Sequence, residues 1–529
     1  MDKSTKNATR TTENLEERVS TLEKENEELA AQLKWYQEQF RLSQKQRFGS
    51  SSEKTDPDQI ELPLFNEAEV TQDQSVEEPT VETITYDRKK TRKSRKTTTE
   101  NLPSETVEYD LPAEEQVCSC CNGDLHKMSQ EVREEIKVIP AEVKVVKHVR
   151  HVYACRSCEK NGTTTPVVTA DMPESVFPGS LASPSAMAYI MEQKYVQGLP
   201  LYRQEKQFDR LGVHLSRQTL SNWLMYGAET WLAPVYSCMV DKLKTCDVLH
   251  ADETTLQVLN EPGRPAMSKS YMWLYRTGRS DPPIVVFDYK TTRASKHPRQ
   301  FLNGFKGYLH VDGYAGYNAV GSEVQLVGCW AHARRKFDEA VKALPKSEKQ
   351  STTAAQEGLA YCNKLFEIER ELKELNLPYD QVYKMREKRS RPVLEAFSGW
   401  LKKMRPKILP KSLLGNAITY CLNQMDRLQT FLKDGRLEID NNLAERTIKP
   451  FVIGRKNWLF SNTARGAEAS SIIYSVIETA KENGLNPFQY LTYLFEILPN
   501  IKASDIDRLL PWSTELPDYV TRKSTSTQA

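Results

Sequence analysis

The chain has 529 residues, 39% hydrophobic and 27% charged, with a formal net charge of +2. That length exceeds what one core supports, so three or more domains are expected. No apolar run approaches a membrane span and the N-terminus has no apolar signal core, so a cytosolic protein with no membrane partner is expected.

Residues 1–48 predict a coiled coil resembling a leucine zipper. Leu15, Leu22, Leu29 and Tyr36 recur every seventh residue, and Val19, Asn26, Leu33 and Phe40 fill the alternate seam. One Asn in that seam favours a parallel dimer in fixed register. The same helix can also pack on its own protein. Residues 49–105 are poor in core-forming residues and read as a disordered linker. Within it an acidic stretch gives way to RKKTRKSRK at 88–96, a basic patch suited to nucleic acid or to keeping the linker soluble.

Residues 106–168 hold two CxxC pairs, Cys118 with Cys121 and Cys155 with Cys158. The segment between them alternates like strands, so two knuckles joined by a hairpin predict a zinc ribbon with four thiolates around a structural Zn²⁺. Thioredoxin-like redox chemistry would need a βαβ unit around one pair, which the sequence lacks. Residues 182–245 read as helices. LYRQEKQFDRLGVHLSRQTLSNWLMYG gives a helix, a turn at Leu211–Gly212 and a second helix capped by Ser216. This fits a helix-turn-helix-like DNA-binding segment that exposes Arg217, Gln218 and Asn222, and equally fits two helices of a bundle.

From 246 the texture changes. Three strands, a helix, a fourth strand, a turn and a fifth strand follow up to 337, the order of a ribonuclease-H-like α/β core. Asp252 falls at the expected end of the first strand and Asp312 at the end of the fourth. In such a sheet those strands are neighbours. A third acid comes from IDNNLAERTIKPF at 439–451, where Asp440 would cap a short helix and Pro450 would end it. Asn441, Glu445 and Lys449 would then share one face. Three carboxylates from two strand ends and a helix suit two Mg²⁺ ions, or Mn²⁺ in their place, for in-line attack on a phosphodiester. Each acid also has a plain reading: a strand end, an Asp-Gly turn, and a Glu–Lys pair on a wet helix face.

The stretches RFGSSSEK (47–54), the two CxxC pairs, HADET (250–254), HVDGYAGYN (310–318), GCWAHARRKF (328–337) and DNNLAERTIKPFVIGRKNWLF (440–460) resemble the insertion-sequence-66 family of bacterial transposases. They run in family order over nearly the whole chain. The resemblance implies a DDE (Asp-Asp-Glu) active site of Asp252, Asp312 and Glu445. It also implies that residues 338–437 are an α-helical insertion splitting the core, whose second part is 438–500, with 501–529 a C-terminal tail. Basic residues near the acids, His332, Arg334, Arg335, Arg446, Lys449, Arg455 and Lys456, would contact DNA phosphates. The basic runs Lys384–Arg391 and Lys402–Lys407 would lie on DNA or form a solvated face. The implied activity is that of a DNA transposase in the bacterial cytoplasm, associated with the nucleoid. It would bind terminal inverted repeats and join freed ends to target DNA as a homodimer or higher oligomer, with or without accessory proteins of the same element. The alternative is a DNA-binding regulator or domesticated protein whose acids are structural.

Overall fold

The computed structural model describes residues 142–149, 151–154, 167–169, 171–345 and 353–521, with isolated helical positions between 18 and 41. The four zinc-ribbon cysteines, the basic patch at 88–96 and Leu15 lie outside the described residues. The chain forms two compact units, one made of 63–172, 207–214 and 522–529 and the other of the remainder up to Thr521.

In the smaller unit β1 (Val152–Ala154) pairs antiparallel with β2 (Val167–Thr169). Residues 142–149 lie outside any strand although their sequence alternates, and Val143, Val145, Val146 and Val149 are exposed. Alternation specifies a strand only where a partner supplies the ladder. Most of the segment expected to form the hairpin between the cysteine pairs lies outside the described residues.

The first fully described helices along the chain are α1 (Pro184–Tyr195), α2 (Leu201–Arg210), α3 (Arg217–Tyr226) and α4 (Ala233–Leu243). The α2–α3 turn carries Gly212 at φ 82°, a left-handed conformation that favours glycine. Ser216 caps α3 by accepting from Thr219 N–H at 3.1 Å. Leu220, Trp223 and Leu224 are buried, which leaves Arg217, Gln218 and Asn222 exposed.

The sheet is built from β3 (Val248–Asn260), β4 (Lys269–Thr277), β5 (Val285–Lys290), β6 (Gly307–Val311) and β7 (Val324–Gly328), ordered β5-β4-β3-β6-β7. The short helix α5 (Lys296–Phe301) lies between β5 and β6. β3, β4 and β5 pair antiparallel, while β6 and β7 run parallel to β3. The result is a mixed α/β sheet. β5 is an edge strand whose free donors are met by side chains. Val285 and Phe287 N–H groups donate to Thr479 and Ser475 hydroxyls of a later helix at 2.9 and 2.8 Å. Paired in this way, the edge cannot recruit another strand.

After β7 comes α6 (Trp330–Lys342), then α7 (Ala354–Glu374), α8 (Tyr379–Met404) and α9 (Leu413–Leu428). Their apolar faces share one core with the sheet, in which Val248 and Val327 meet Trp330, Phe337, Leu365, Phe397, Ile418 and Phe431. Of the basic run 384–391, Arg386 turns inward and is 3% exposed. It pairs with Glu369 and donates to the carbonyls of Phe431, Asp434 and Leu437. Its task is to gather the returning chain, not to hold DNA.

The chain re-enters the sheet layer through α10 (Asn442–Trp458), β8 (Ser461–Thr463), α11 (Ala464–Glu482) and α12 (Pro487–Ile497). Pro450 was expected to end α10, yet the helix runs through it to Trp458. Ile448, Phe451 and Gly454 are buried on either side of the proline, so packing outweighs the one backbone bond it removes. The stretch expected to be a tail is also folded up to Thr521. Ile506, Leu509, Leu510 and Val520 are buried, and Tyr490 donates its hydroxyl to Leu509 O at 2.6 Å.

Candidate active site

Strand register brings the two aspartates together. β3 and β6 pair in parallel with His250 opposite His310, so Asp252 and Asp312, each two residues on, fall level with one another. Asp312 follows directly on the last residue of β6. Asp252, by contrast, does not end its strand: β3 continues to Asn260 against β4 and β8. What stops beside Asp252 is its parallel neighbour.

The histidines form the floor. The rings of His250 and His310 stack at 4.1 Å and are fully buried. Burial lowers both pKa values, that of His250 to about 4, so both rings are neutral. Residues two apart on a strand share a face, so Asp252 projects on the side of His250. Glu253 points the opposite way and is tied down. Arg293 donates to it from Nε at 2.8 Å and Tyr317 from its hydroxyl at 2.5 Å, while the Arg293 guanidinium stacks on Tyr314. Asp312 accepts the Tyr314 N–H at 2.8 Å.

Glu445 arrives on the first turn of α10. The return of its segment is stitched residue by residue. Arg279 pairs with Glu438, His310 Nε2 accepts the Glu438 N–H at 3.4 Å, and Ile439 O accepts the Trp330 N–H at 3.1 Å. Asn441 then locks the helix start to β3. It is 2% exposed, its Nδ2 donates to Ala251 O at 2.8 Å, and its Oδ1 faces His250 Nδ1 at 2.9 Å. Asn441, expected to share one face with Glu445 and Lys449, is thus turned into the core. It holds the N-cap position of α10 inside the core without a side-chain capping bond, and Asp440 accepts from Asn442 N–H and Nδ2 at 3.0 and 2.8 Å.

Asp252 senses both other acids. Burial, Glu253, Glu445 and Asp312 together hold the Asp252 carboxyl well above the ordinary 3.8, against the Glu253 N–H that stabilises its charge at 2.8 Å. Glu445 Oε1 is shielded from solvent and has no hydrogen-bond partner among the described residues. That oxygen faces His332 Nδ1 at 3.7 Å, while the Glu445 charge reaches Asp252 through space.

The basic residues divide. Arg335 reaches Glu445 at 3.9 Å, and His332 Nδ1 lies 3.7 Å from it, facing the acid and not an open surface. Arg334 turns away to Asn363 Oδ1 at 2.7 Å on α7. Arg455 sits against β3, reaching the hydroxyls of Thr254 and Thr255 at 3.2 and 3.3 Å. Arg446 and Lys456 are exposed and Lys449 half-buried. In α3, Gln218 donates to Asn222 at 3.0 Å and both stay exposed, as does Arg217. Sequence reasoning passed over His250, His310 and Cys329. The first two had a signal: HAD and HVD repeat the same His-x-Asp spacing at both strands.

The mixed sheet with its helices sets Asp252 and Asp312 level on neighbouring strands, and the Glu445 charge is felt at Asp252. The chain belongs to the transposase IS66 family, whose model matches residues 179–469. Residues 115–159 match the zinc-finger binding domain of transposase IS66, spanning Cys118, Cys121, Cys155 and Cys158, and support structural zinc. Residues 475–512 match the IS66 C-terminal element, and residues 35–107 a model described as transposase C of IS166 homeodomain. Similar proteins include the uncharacterized proteins y4jD and y4hP of Sinorhizobium fredii (strain NBRC 101917 / NGR234). The first is 32% identical over 78% of this chain and 81% of its own length, the second 29% over 88% and 86%. No described helix is long and apolar enough to cross a membrane.

Proposed function

We propose that this protein is a DDE transposase that cleaves DNA at the terminal inverted repeats of its own element and transfers the freed 3′ ends to target DNA. The observation that carries this reading is that Asp252 and Asp312 fall level on paired parallel strands and that Asp252 feels the charge of Glu445, all three inside the family-matched span, on a sheet whose strand order fits a ribonuclease-H-like core. The three carboxylates would hold two Mg²⁺ ions, or Mn²⁺, which when bound supply activation of the attacking water or 3′-OH and stabilisation of the leaving oxygen. The rest falls to the chain's own groups. Asn441 fixes the depth at which Glu445 enters, and Tyr314 N–H and the Glu253 N–H orient the two aspartates. Exposed Arg446 and Lys456 meet phosphates and set register without reading sequence. Arg217, Gln218 and Asn222 on α3 supply base contacts in a major groove.

Val19, Leu22, Leu29, Leu33, Tyr36 and Phe40 are all more than half exposed, which supports pairing of two chains through the zipper seam. Two paired protomers would hold two element ends. A nucleoid-associated cytoplasmic location and any help from accessory proteins of the same element follow from this reading.

The test is cleavage of labelled terminal-repeat DNA by purified protein with Mg²⁺. Wild type is expected to release 3′ ends and join them. Asp312→Asn is expected to abolish both while DNA binding persists. Equal behaviour of the two proteins would remove the catalytic assignment, and binding by wild type without cleavage would favour the DNA-binding regulator.

A further inference from the structure

The start of α6 carries a second constellation, of different chemistry. Cys329 is the N-cap and His332 lies three residues on, so both side chains leave one face of the first turn. Across from them stands Glu445 on the first turn of α10. One ligand atom from each of Cys329, His332 and Glu445 lies within 4.8 Å of the other two. His332 Nδ1 and Glu445 Oε1 are 3.7 Å apart, both are shielded from solvent, and neither has a hydrogen-bond partner among the described residues. Two facing polar atoms left in that state call for a third group between them.

The donor set says which. A thiol sulfur, an imidazole nitrogen and a carboxylate oxygen are ligands of a zinc-class ion, and Mg²⁺ does not take sulfur. Bonds of about 2.0–2.3 Å put neighbouring ligand atoms of a tetrahedral site roughly 3.3–3.8 Å apart, and the His–Glu pair already stands at that spacing. The Asn441 N–H donates to Cys329 Sγ at 3.3 Å, and two helix N-termini point their dipoles at the sulfur and the carboxylate. Binding would form the metal–sulfur bond and release the thiol proton to solvent, with no change of oxidation state.

We propose that Cys329, His332 and Glu445 form a binding site for a thiophilic divalent cation of the zinc class, with an open fourth position, in which Glu445 is shared with the aspartate centre. The site itself stands on the three ligands. Its consequence, that an ion held here draws Glu445 away from Asp252 and Asp312, rests on the transposase reading.

Co²⁺ is the probe, because its thiolate charge-transfer and ligand-field absorption report sulfur ligation and geometry. Full-length wild type is expected to bind one equivalent of Co²⁺ beyond that held by the CxxC cysteines. Cys329→Ser and His332→Gln are each expected to lose that equivalent and its thiolate band. Cys118→Ser should lose a different equivalent, and Asp312→Asn should keep both. His332→Gln leaves the buried thiol in place, so it reads the site even if Cys329→Ser unfolds, which thermal melts would reveal. Unchanged stoichiometry and spectra in folded Cys329→Ser or His332→Gln would overturn the site. Loss of the equivalent in Asp312→Asn would overturn it too, by moving the ion to the aspartates. Extra Co²⁺ bound by a wild type that, once the Co²⁺ is chelated and Mg²⁺ supplied, still cleaves no DNA would uphold the site and sink the transposase reading. Cleavage without the extra Co²⁺ would do the reverse.

Discussion

Replacing Asn441 by alanine tests whether the candidate site depends on a residue that never meets substrate. The side chain makes two buried hydrogen bonds, to Ala251 O at 2.8 Å and with His250 Nδ1 at 2.9 Å. Truncation leaves a strand carbonyl and an imidazole N–H unpaired in the core. Each such group costs about 1–3 kcal/mol, so Asn441→Ala should destabilise the larger unit by about 2–6 kcal/mol. That is a large share of a typical folding free energy of about 5–15 kcal/mol. The backbone N–H to Cys329 survives, so α10 should remain docked but loosened at its first turn, where Glu445 sits four residues on. Urea unfolding reads the stability, and Mg²⁺-dependent cleavage under conditions where the variant is folded reads the placement. A loss of under about 0.5 kcal/mol together with unchanged cleavage would refute the view that Asn441 positions Glu445.

Three further outcomes are expected. Asp252 has its pKa raised in the folded state, so its contribution favours folding below about pH 3.8 and is lost as pH rises through the folded value. In chelator at pH 7, Asp252→Asn should therefore stabilise the protein by about 1–3 kcal/mol, with the gain vanishing in acid; urea midpoints across pH that show no gain at neutrality would contradict the crowding. Gly454→Ala puts a methyl 2.3 Å from the Trp458 ring and 2.4 Å from the Tyr474 hydroxyl, and should cost about 1–3 kcal/mol in the same assay. Cys118→Ser and Cys155→Ser should each release one zinc by metal analysis, and full retention in either would remove that cysteine from the ligand set.

The order of strands and the nearness of Asp252 to Asp312 were legible because period-two patterning and short connections encode a sheet locally. Length was less so. Asp252 reads as a strand end because polar residues follow it, yet Leu256 and Val258 keep every second position buried and β3 runs on. Pro450 misled for a related reason: a local rule about one lost hydrogen bond cannot weigh Ile448 and Phe451 packing on both sides. Asn441 was placed on a wet face by helical spacing alone. Spacing fixes which residues share a side, and only the sheet decides whether that side meets water or β3. The partners of Arg386 were invisible in sequence, since three carbonyls from 431–437 hold it.

How a gap of 133 residues (445 − 312) is closed follows from these contacts. α6 to α9 do not fold as a separate body. Their core contains Val248 of β3 and Val327 of β7, so each helix that packs also fixes where the chain comes back. Trp330 does this twice, donating its indole N–H to Leu428 O at 2.8 Å and its backbone N–H to Ile439 O at 3.1 Å. Arg386 holds the segment between. The position of Glu445 is thus set by the packing of helices far from the acids. A core substitution such as Phe397→Ala, about 3–5 kcal/mol by loss of a fully buried ring, would then reach Glu445 through Trp330, whose ring lies 5.7 Å from that of Phe397. Its mark would be a weaker shift of the unfolding midpoint by Mg²⁺ than in wild type, with the carboxylates themselves intact. An undiminished shift would mean that the return segment holds its place without the helical core.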